Sequence, residues 1–128
     1  MISGIQSALS GLQAFSKKIE NNANNVANMN TDGFKKNRAV LSAQYPQGVK
    51  ATFEKVDAPG PFVAEMTGQG YEMVQQSNVN LGDEIPDMLL NKHGYAANIK
   101  TLQAADQMMQ SLLDIKEWEE TALVCSLS

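Results

Sequence analysis

Two adjacent carboxylate pairs are the residues of this 128-residue sequence that come nearest to catalytic chemistry: Asp83–Glu84 and Glu119–Glu120. General acid–base catalysis requires such groups in a buried cleft, and nothing in the sequence around them predicts one. The first pair opens a predicted helix, where carboxylates interact favourably with the positive end of the helix dipole. We therefore predict no catalytic residue and no enzymatic activity.

His93 and Cys125 are the other reactive side chains, and each is the single residue of its type. His93, between Lys92 and Gly94, has no second imidazole with which to share a metal, so we expect it at the surface. One cysteine excludes an intrachain disulfide and a zinc site of several thiolates, and Cys125 is either a free thiol or a cross-link between two chains. The nucleotide motifs G-x-G-x-x-G and G-K-[ST] do not occur. Neither a metal nor a cofactor is predicted.

Composition and charge exclude further classes. With 43% hydrophobic and 19% charged residues, the chain is neither a disordered acidic polymer nor a membrane protein. No stretch approaches the roughly 18 apolar residues that span a bilayer, and residues 1–16 lack the basic start of a signal peptide. Residues 1–40 carry a net charge of +3 and residues 41–128 one of −7. A nucleic-acid partner is therefore not expected, and the ends attract each other or the ends of neighbouring copies.

Two long helices dominate the predicted structure. Heptad spacing predicts the first from about Ile2 to Met29, with a stripe made of Ile5, Leu9, Leu12, Phe15, Ile19 and Val26. The same spacing predicts the second from about Asp83 to Trp118, with a stripe made of Met88, Tyr95, Ile99, Leu102, Met109 and Leu113. Gly94 is a weak point inside the second helix.

Asparagines crowd the end of the first helix, with six of them between positions 21 and 30. Asn is a poor helix former because its side chain competes for backbone hydrogen bonds, so this helix needs partners. Two interpretations stay open: a solvated, frayed helix end, or amides that hydrogen-bond between helices and set their register. Gly33 then ends the helix because the turn requires a positive φ.

The segment between the helices is of a different kind, because Pro and Gly exclude a long helix from 35–81. Alternation predicts a strand at 49–54, 57–61 is a predicted turn, and 62–66 and 71–74 are further strands. We predict a mainly α fold with a small β part, in which long terminal helices form a coiled-coil pair joined by a short β hairpin or meander. The predicted divisions are 1–34, 35–81, 82–118 and a tail at 119–128.

Each end of the sequence carries a short motif. The first follows N-[ILV]-A-N, then T, then G-[FY]-[KR], and is made here of Asn25, Ala27, Asn28, Thr31, Gly33, Phe34 and Lys35. The second is an S-N-V-[DN] segment before a helix with Y-x-A-N, made here of Asn78, Val79 and Asn98. Together the two motifs resemble the bacterial flagellar axial proteins of the rod and hook. The short segment between them is similar to proximal-rod subunits, whereas N-T-D-G-F-K-K and Q-Q-S-N-V-N are more similar to the distal-rod and hook branch. The sequence departs from the family at Gly82, where a Thr or Ser cap is usual.

The resemblance implies a structural subunit of the flagellar basal-body rod that assembles through its terminal helices and is needed for motility. It implies export by the flagellar type III apparatus without a cleaved signal peptide, and a place in the rod that crosses the periplasm. The expected partners are other copies, other rod and hook axial proteins and the export apparatus, with no small-molecule substrate and no transmembrane segment. We expect the two apolar stripes to pack on each other, within or between subunits, with Asn25, Asn28 and Asn98 setting the register.

Two alternatives belong to other classes. A soluble coiled-coil adaptor or export chaperone would also show amphipathic helices and no catalytic groups, but it would have no reason to carry the first motif. A peptidoglycan-cleaving enzyme would need a carboxylate in a cleft of a globular fold, which the sequence does not supply.

Overall fold

The computed structural model describes the backbone of residues 2–68 and 70–126, and the side chains up to Ile115 except those of Met1, Ile2, Thr67 and Gln69. Helix α1 spans Ile2–Ala27, which confirms the predicted N-terminal helix within two residues of its end. The chain then turns through Gly33, whose φ of 66° lies in the left-handed region that glycine adopts without strain. The Gly33 amide donates a hydrogen bond to the Gln75 carbonyl at 2.7 Å.

Helix α2 spans Leu81–Ser126 and extends eight residues past Trp118, through the segment interpreted as a tail. Asn80 caps its first turn, because its Oδ1 accepts from the Gly82 amide at 3.0 Å and its carbonyl accepts from Asp83 and Glu84. The cap expected near Gly82 is thus supplied two residues earlier, by an asparagine in place of Thr or Ser. Pro86 is accommodated close to the start of the helix.

The two helices pack antiparallel in one register. Asn25 lies beside Glu84, Phe15 beside Gly94, and Gly11 beside Asn98. By this register the start of α1 lies level with residue 107, and α2 continues beyond it. Residues 108–126, which we call the α2 overhang, extend past α1 by roughly 28 Å at a rise of about 1.5 Å per residue.

Four strands form two separate antiparallel hairpins. Strand β1 (Asn37–Ala43) pairs with β2 (Val49–Lys55), and strand β3 (Phe62–Thr67) pairs with β4 (Gly70–Gln75). The first hairpin packs on α1, where Ala51 is buried and the Val49 amide donates to Ser10 Oγ at 3.1 Å. The fold class predicted from the sequence, two long helices around a small β part, is confirmed.

The strand pairing differs from the sequence prediction. The expected pairing of 49–54 with 62–66 is wrong, because 49–54 pairs with β1. Strand 62–66 pairs with β4, which agrees with the meander alternative. Residues 56–61 do not turn, because Pro59 and Pro61 fix their own φ and favour extended conformations in the residues before them. Strand β1 was missed because Val40 and Leu41 are adjacent, which breaks the apolar–polar alternation.

Polar side chains fill much of the buried interior of the described residues. The buried apolar side chains are those of Ala8, Ala14 and Ala51. The buried polar side chains are larger and comprise Asn21, Asn22, Asn25, Ser77, Glu84 and Asn91. The contact between α1 and α2 therefore depends on close approach and hydrogen bonding more than on large apolar side chains.

Replacing the cap tests how α2 begins. We expect Asn80→Ala to lower the free energy of unfolding by about 1 kcal/mol, because the first-turn amide of Gly82 loses its acceptor. Urea unfolding followed by circular dichroism measures the change. Asn30→Ala, in the exposed turn after α1, is the matched control and should change stability by less than about 0.5 kcal/mol. Equal effects from the two substitutions would contradict the cap assignment.

Candidate assembly interface

A carboxylate from α2 joins the two helices at the end of the pair next to the sheets. Glu84, which is only 7% exposed, accepts at Oε2 from Asn22 Nδ2 at 2.8 Å and from Asn25 Nδ2 at 3.2 Å. Hydrogen bonds to an ionised acceptor are about twice as strong as neutral ones, and a buried carboxylate depends on such donors. We call these hydrogen bonds of Glu84 with Asn22 and Asn25 the clamp. They join residues that are separated in the sequence by 62 and 59 positions.

Asn25 also fastens α1 to the first hairpin. Its Nδ2 donates to the Asn37 carbonyl at 2.8 Å, and its Oδ1 accepts from the Asn37 amide at 3.0 Å. Asn21 donates to the same carbonyl at 2.7 Å. Asn25, which is 1% exposed, thus satisfies groups on both β1 and α2. Among the described residues, the crowded asparagines are therefore hydrogen-bonding groups of the interior, at least at positions 21, 22 and 25.

The clamp continues along α2 through Asp87 and Asn91, one and two turns beyond Glu84. Asn91 is 1% exposed and donates to Asn22 Oδ1 at 3.0 Å and to Asp87 Oδ2 at 3.2 Å. Asn22 donates to that same Asp87 oxygen at 3.2 Å, and Lys18 Nζ lies 3.8 Å from the other carboxylate oxygen of Asp87. Asn91 Oδ1 has no hydrogen-bond partner among the described atoms. Glu84, Asp87 and Asn91 were not predicted as site residues, because their spacing on α2 becomes meaningful only against the asparagines of α1.

Farther from the sheets, small residues allow the backbones of α1 and α2 to come close together. A Cβ added at Gly11 would lie 2.9 Å from Asn98 Oδ1, and one added at Gly94 would lie 2.6 Å from Phe15 Cζ. Gly94 was interpreted as a weak point of the helix, but the structure shows that it makes room for the Phe15 ring. Ala8 and Ala14 are buried in the same stretch of α1.

The contact between α1 and α2, which we call the seam, has the predicted packing residues around it. None of them is fully buried. Half-buried positions are Ile5, Leu12, Phe15, Ile19, Val26, Met88, Tyr95 and Leu102. Exposed positions are Leu9, Ile99, Met109 and Leu113. Each helix therefore keeps large apolar side chains beside the seam that other chains can contact.

The three asparagines predicted to set the register have different surroundings. Asn25 reaches α2 as described above. Asn28 donates to the Asn24 carbonyl at 2.9 Å and accepts from Thr31 Oγ1 at 3.3 Å, so its bonds are local. Asn98 donates to the Gly94 carbonyl of its own helix at 3.0 Å and lies against Gly11.

The two sequence motifs meet through Asn78. Its Oδ1 accepts from the Lys36 amide at 2.7 Å, and its Nδ2 donates to the carbonyls of Val56 at 3.0 Å and Ala58 at 2.9 Å. Lys35 Nζ donates to the same Ala58 carbonyl at 2.9 Å. Further contacts of this junction are the bond from the Asn78 amide to the Phe34 carbonyl and the bond from the Val79 amide to Ser77 Oγ. Asn78 thus ties together the entry to β1, the exit from β2 and the entry to α2.

A polar cleft of about 380 Å³ opens beside the clamp, between α1, the start of β1 and the start of α2. Its charged lining residues are Lys18, Lys36, Arg38, Asp83, Glu84 and Asp87. Three basic and three acidic side chains line it, so their formal charges cancel. Within the described part of the chain, no group of three or more His, Cys, Asp or Glu side chains is placed to bind a metal ion. His93 is exposed, and the Cys125 side chain lies outside the described residues.

Comparison with protein families matches both ends of the chain. A model described as Flagella basal body rod protein matches residues 5–35, and one described as Flagellar basal body rod FlgEFG protein C-terminal matches residues 69–115. The first covers most of α1 and the turn after it. The second covers β4, the Asn78 junction and the part of α2 that packs on α1.

Curated relatives are flagellar hook proteins. The flagellar hook protein FlgE of Borreliella burgdorferi is 34% identical over 44 residues, which are 34% of this chain and 10% of that protein. The flagellar hook protein FlgE of Treponema pallidum is 37% identical over 43 residues, which are 34% of this chain and 9% of that protein. The aligned segments thus cover about a tenth of these relatives.

Fold, clamp and motifs together define a class of structural protein, in which the two ends of one chain pair as antiparallel helices and support a small β region. One family model matches α1 and the turn after it, the other matches β4 and most of α2, and together they match more than half of the chain. The chain belongs to the rod and hook axial family of the bacterial flagellum. Among the described residues, no helix is long and apolar enough to cross a membrane.

Removing the central amide tests the clamp. We expect Asn25→Ala to lower the free energy of unfolding by about 2–3 kcal/mol, because Glu84 and both Asn37 backbone groups lose buried hydrogen bonds. Chemical denaturation gives the value. Asn24→Ala, at the exposed neighbouring position, should cost less than about 0.5 kcal/mol. A small effect of Asn25→Ala would show that the amide is not needed for the pairing.

Adding one methyl group at Gly94 tests the close approach. Alanine in a helix interior is favoured over glycine by about 1 kcal/mol, but here the new Cβ would meet the Phe15 ring. Overpacking of this kind costs about 1–3 kcal/mol, so we expect Gly94→Ala to destabilise the protein or at best to leave it unchanged. Gly4→Ala, with open space around it, should be neutral or stabilising. If both substitutions stabilise equally in thermal unfolding, the packing of Phe15 on Gly94 is not tight.

Proposed function

We propose that this chain is a self-assembling structural subunit of the flagellar basal-body rod and that it is needed for motility. The observation that carries the proposal is the composition of the helix seam. Small and polar residues occupy the contact between α1 and α2, while Leu9, Ile99, Met109 and Leu113 are 36–65% exposed. Apolar side chains left outside an intrachain contact favour association with further chains.

The partners follow from the same surface and from the family. Other copies of the chain, and other rod and hook axial proteins, are the proposed occupants of the exposed apolar positions. The charge distribution of this chain favours contacts between opposite ends of neighbouring copies, since residues 1–40 are net positive and residues 41–128 are net negative. Repeated contacts between unlike surfaces produce an open helical assembly when the rotation between copies does not close a ring, and an open helix is the form a shaft requires.

The proposed route and location rest on membership of the axial family. We propose export by the flagellar type III apparatus without a cleaved signal peptide, followed by incorporation in the rod where it crosses the periplasm. An Asn-rich α1 supports this route, because a helix with weak intrinsic propensity folds stably only when its partners cover it.

The proposed subtype is a short, proximal-rod-like subunit with features of the distal-rod and hook branch. Two small hairpins are all that connects the terminal helices within the described residues, which supports the short type. The C-terminal end matches the FlgEFG model, and the curated relatives are hook proteins. The model match supports the hook-branch features of that end, and the hook relatives support such features in the chain as a whole.

Self-assembly is tested by a charge placed on the outer face of α1. Leu9 is 47% exposed, so Leu9→Asp should leave the monomer folded while placing a charge in the contact between chains. We expect the unchanged chain to form elongated polymers in light scattering as its concentration rises, and Leu9→Asp to form none. Gln13→Asp, at an exposed position on the same helix, is the control and should polymerise normally.

The contrary outcomes are distinct. Normal polymers from Leu9→Asp would exclude the outer face of α1 as an assembly surface. A discrete helical dimer from the unchanged chain, with no larger species at any concentration, would contradict the structural role and favour the adaptor or chaperone alternative.

A further inference from the structure

The β3–β4 hairpin is held at its base, where the Gln75 carbonyl accepts from the Gly33 amide, but its faces are not packed on another described element. Within the part of the chain that the structure describes, neither strand packs against a helix or against the β1–β2 hairpin. A two-stranded hairpin is marginally stable in water, and it becomes stable when it packs on a helix or joins a larger sheet. The hairpin therefore lacks a stabilising contact that another molecule can provide.

One face of this hairpin is apolar and almost fully open to solvent. Strand register places Met66 opposite Tyr71 and Ala64 opposite Met73, and alternation places Phe62 on the same face. Phe62, Met66, Tyr71 and Met73 are 58%, 83%, 79% and 63% exposed. The other face carries Glu65 directly opposite Glu72. Val63 lies opposite Val74 on this second face. The carboxylates of the hairpin thus lie on one side, and its Phe, Tyr and Met side chains on the other.

The α2 overhang is the second unpartnered apolar surface. Met108, Leu112 and Ile115 lie at a spacing of four and three residues, which places them on one face of the helix. They are 54%, 51% and 60% exposed. Ala104 and Leu112 line a shallow, mainly apolar groove on the same face. In the observed register α1 does not reach this part of α2.

These two surfaces lie at opposite ends of the molecule. The hairpin leads into α2 at Leu81, and the overhang begins 27 residues later, roughly 40 Å along the helix at about 1.5 Å per residue. The rigid helix keeps the two surfaces of one chain apart. Two copies arranged head to tail bring the hairpin of one onto the overhang of the next.

We infer that the apolar face of β3–β4 in one copy packs on the α2 overhang of a second copy. The inference rests on the self-assembly proposed above and names one of its contacts. A helix covering the apolar face of a small sheet is a standard layer arrangement, and here it would satisfy both unpartnered surfaces at once.

Charge and side-chain type favour this occupant. The overhang and its approach carry Asp106 and Asp114, which a negatively charged surface would repel. The hairpin presents its uncharged face, with Glu65 and Glu72 on the far side, so no carboxylate pair is forced together. Methionines on both surfaces adapt to each other's shape, because their side chains are unbranched and flexible. The contact joins unlike surfaces, so it can repeat from copy to copy along an assembly that does not close into a ring.

Cysteine cross-linking between differently tagged copies tests the contact. In a Cys125→Ser background, a Met66→Cys chain is mixed with a Leu112→Cys chain and treated with a short bifunctional maleimide. The matched control replaces Met66→Cys by Glu65→Cys. Because neighbouring strand residues point to opposite faces, we expect about tenfold more cross-linked heterodimer from Met66→Cys than from Glu65→Cys.

Light scattering on the same mixtures separates this inference from the proposed function. Suppose that polymers form but that Met66→Cys and Glu65→Cys cross-link equally, or that Met66→Cys does not cross-link. Either result would overturn the proposed contact and leave self-assembly supported. Cross-linking of Leu112→Cys mainly to itself would show that two overhangs pair instead, which also overturns it. Absence of polymers from the uncross-linked chain at every concentration would count against the proposed function itself.

Discussion

The structure depends on one buried carboxylate. Glu84 needs hydrogen-bond donors to remain in the interior, and α1 supplies them from Asn22 and Asn25. Asn25 also fixes the position of β1, because its side chain hydrogen-bonds to both the backbone amide and the carbonyl of Asn37. The direction of α2, the register of the helix pair and the attachment of the first hairpin therefore share one polar centre. A shift of either helix by one turn would leave these groups without partners, which is how a polar contact specifies register.

The polar and small composition of the seam explains why the chain suits assembly. Alanine, glycine and asparagine bring the helices close without using their large apolar residues. Leu9 and Ile99 remain beside the seam, and the overhang continues beyond it. A single chain thus has a defined helix pair and an incompletely covered apolar surface. Those two properties together are what a subunit of a shaft requires, since it must have a fixed shape and several neighbours.

Sequence reasoning predicted the regular elements better than their contacts. The helices, Gly33 at the end of α1 and three of the four strands were predicted, because periodicity and turn chemistry are local. The predicted pairing of 49–54 with 62–66 was wrong because Pro59 and Pro61 can either turn a chain or keep it extended, and the surrounding fold decides which. For the candidate site, an interhelical role of the asparagines was one of two open interpretations. Their partners Glu84 and Asn91 were not predicted, because the local sequence does not show whether a polar side chain on a helix will be exposed or buried.

By itself the sequence determined the two helices, the small β region between them and the two end motifs of the axial family, because each is recorded in short-range spacing. Tertiary structure alone decided which side chains the helices share. It converted Gly94 from a weak point into the space for Phe15, and Glu84 from a helix-end charge into the centre of the clamp. It also left the apolar face of β3–β4 uncovered. The reason is that burial and hydrogen-bond partnership belong to pairs of residues distant in the chain, and their meeting depends on a register that no single segment contains.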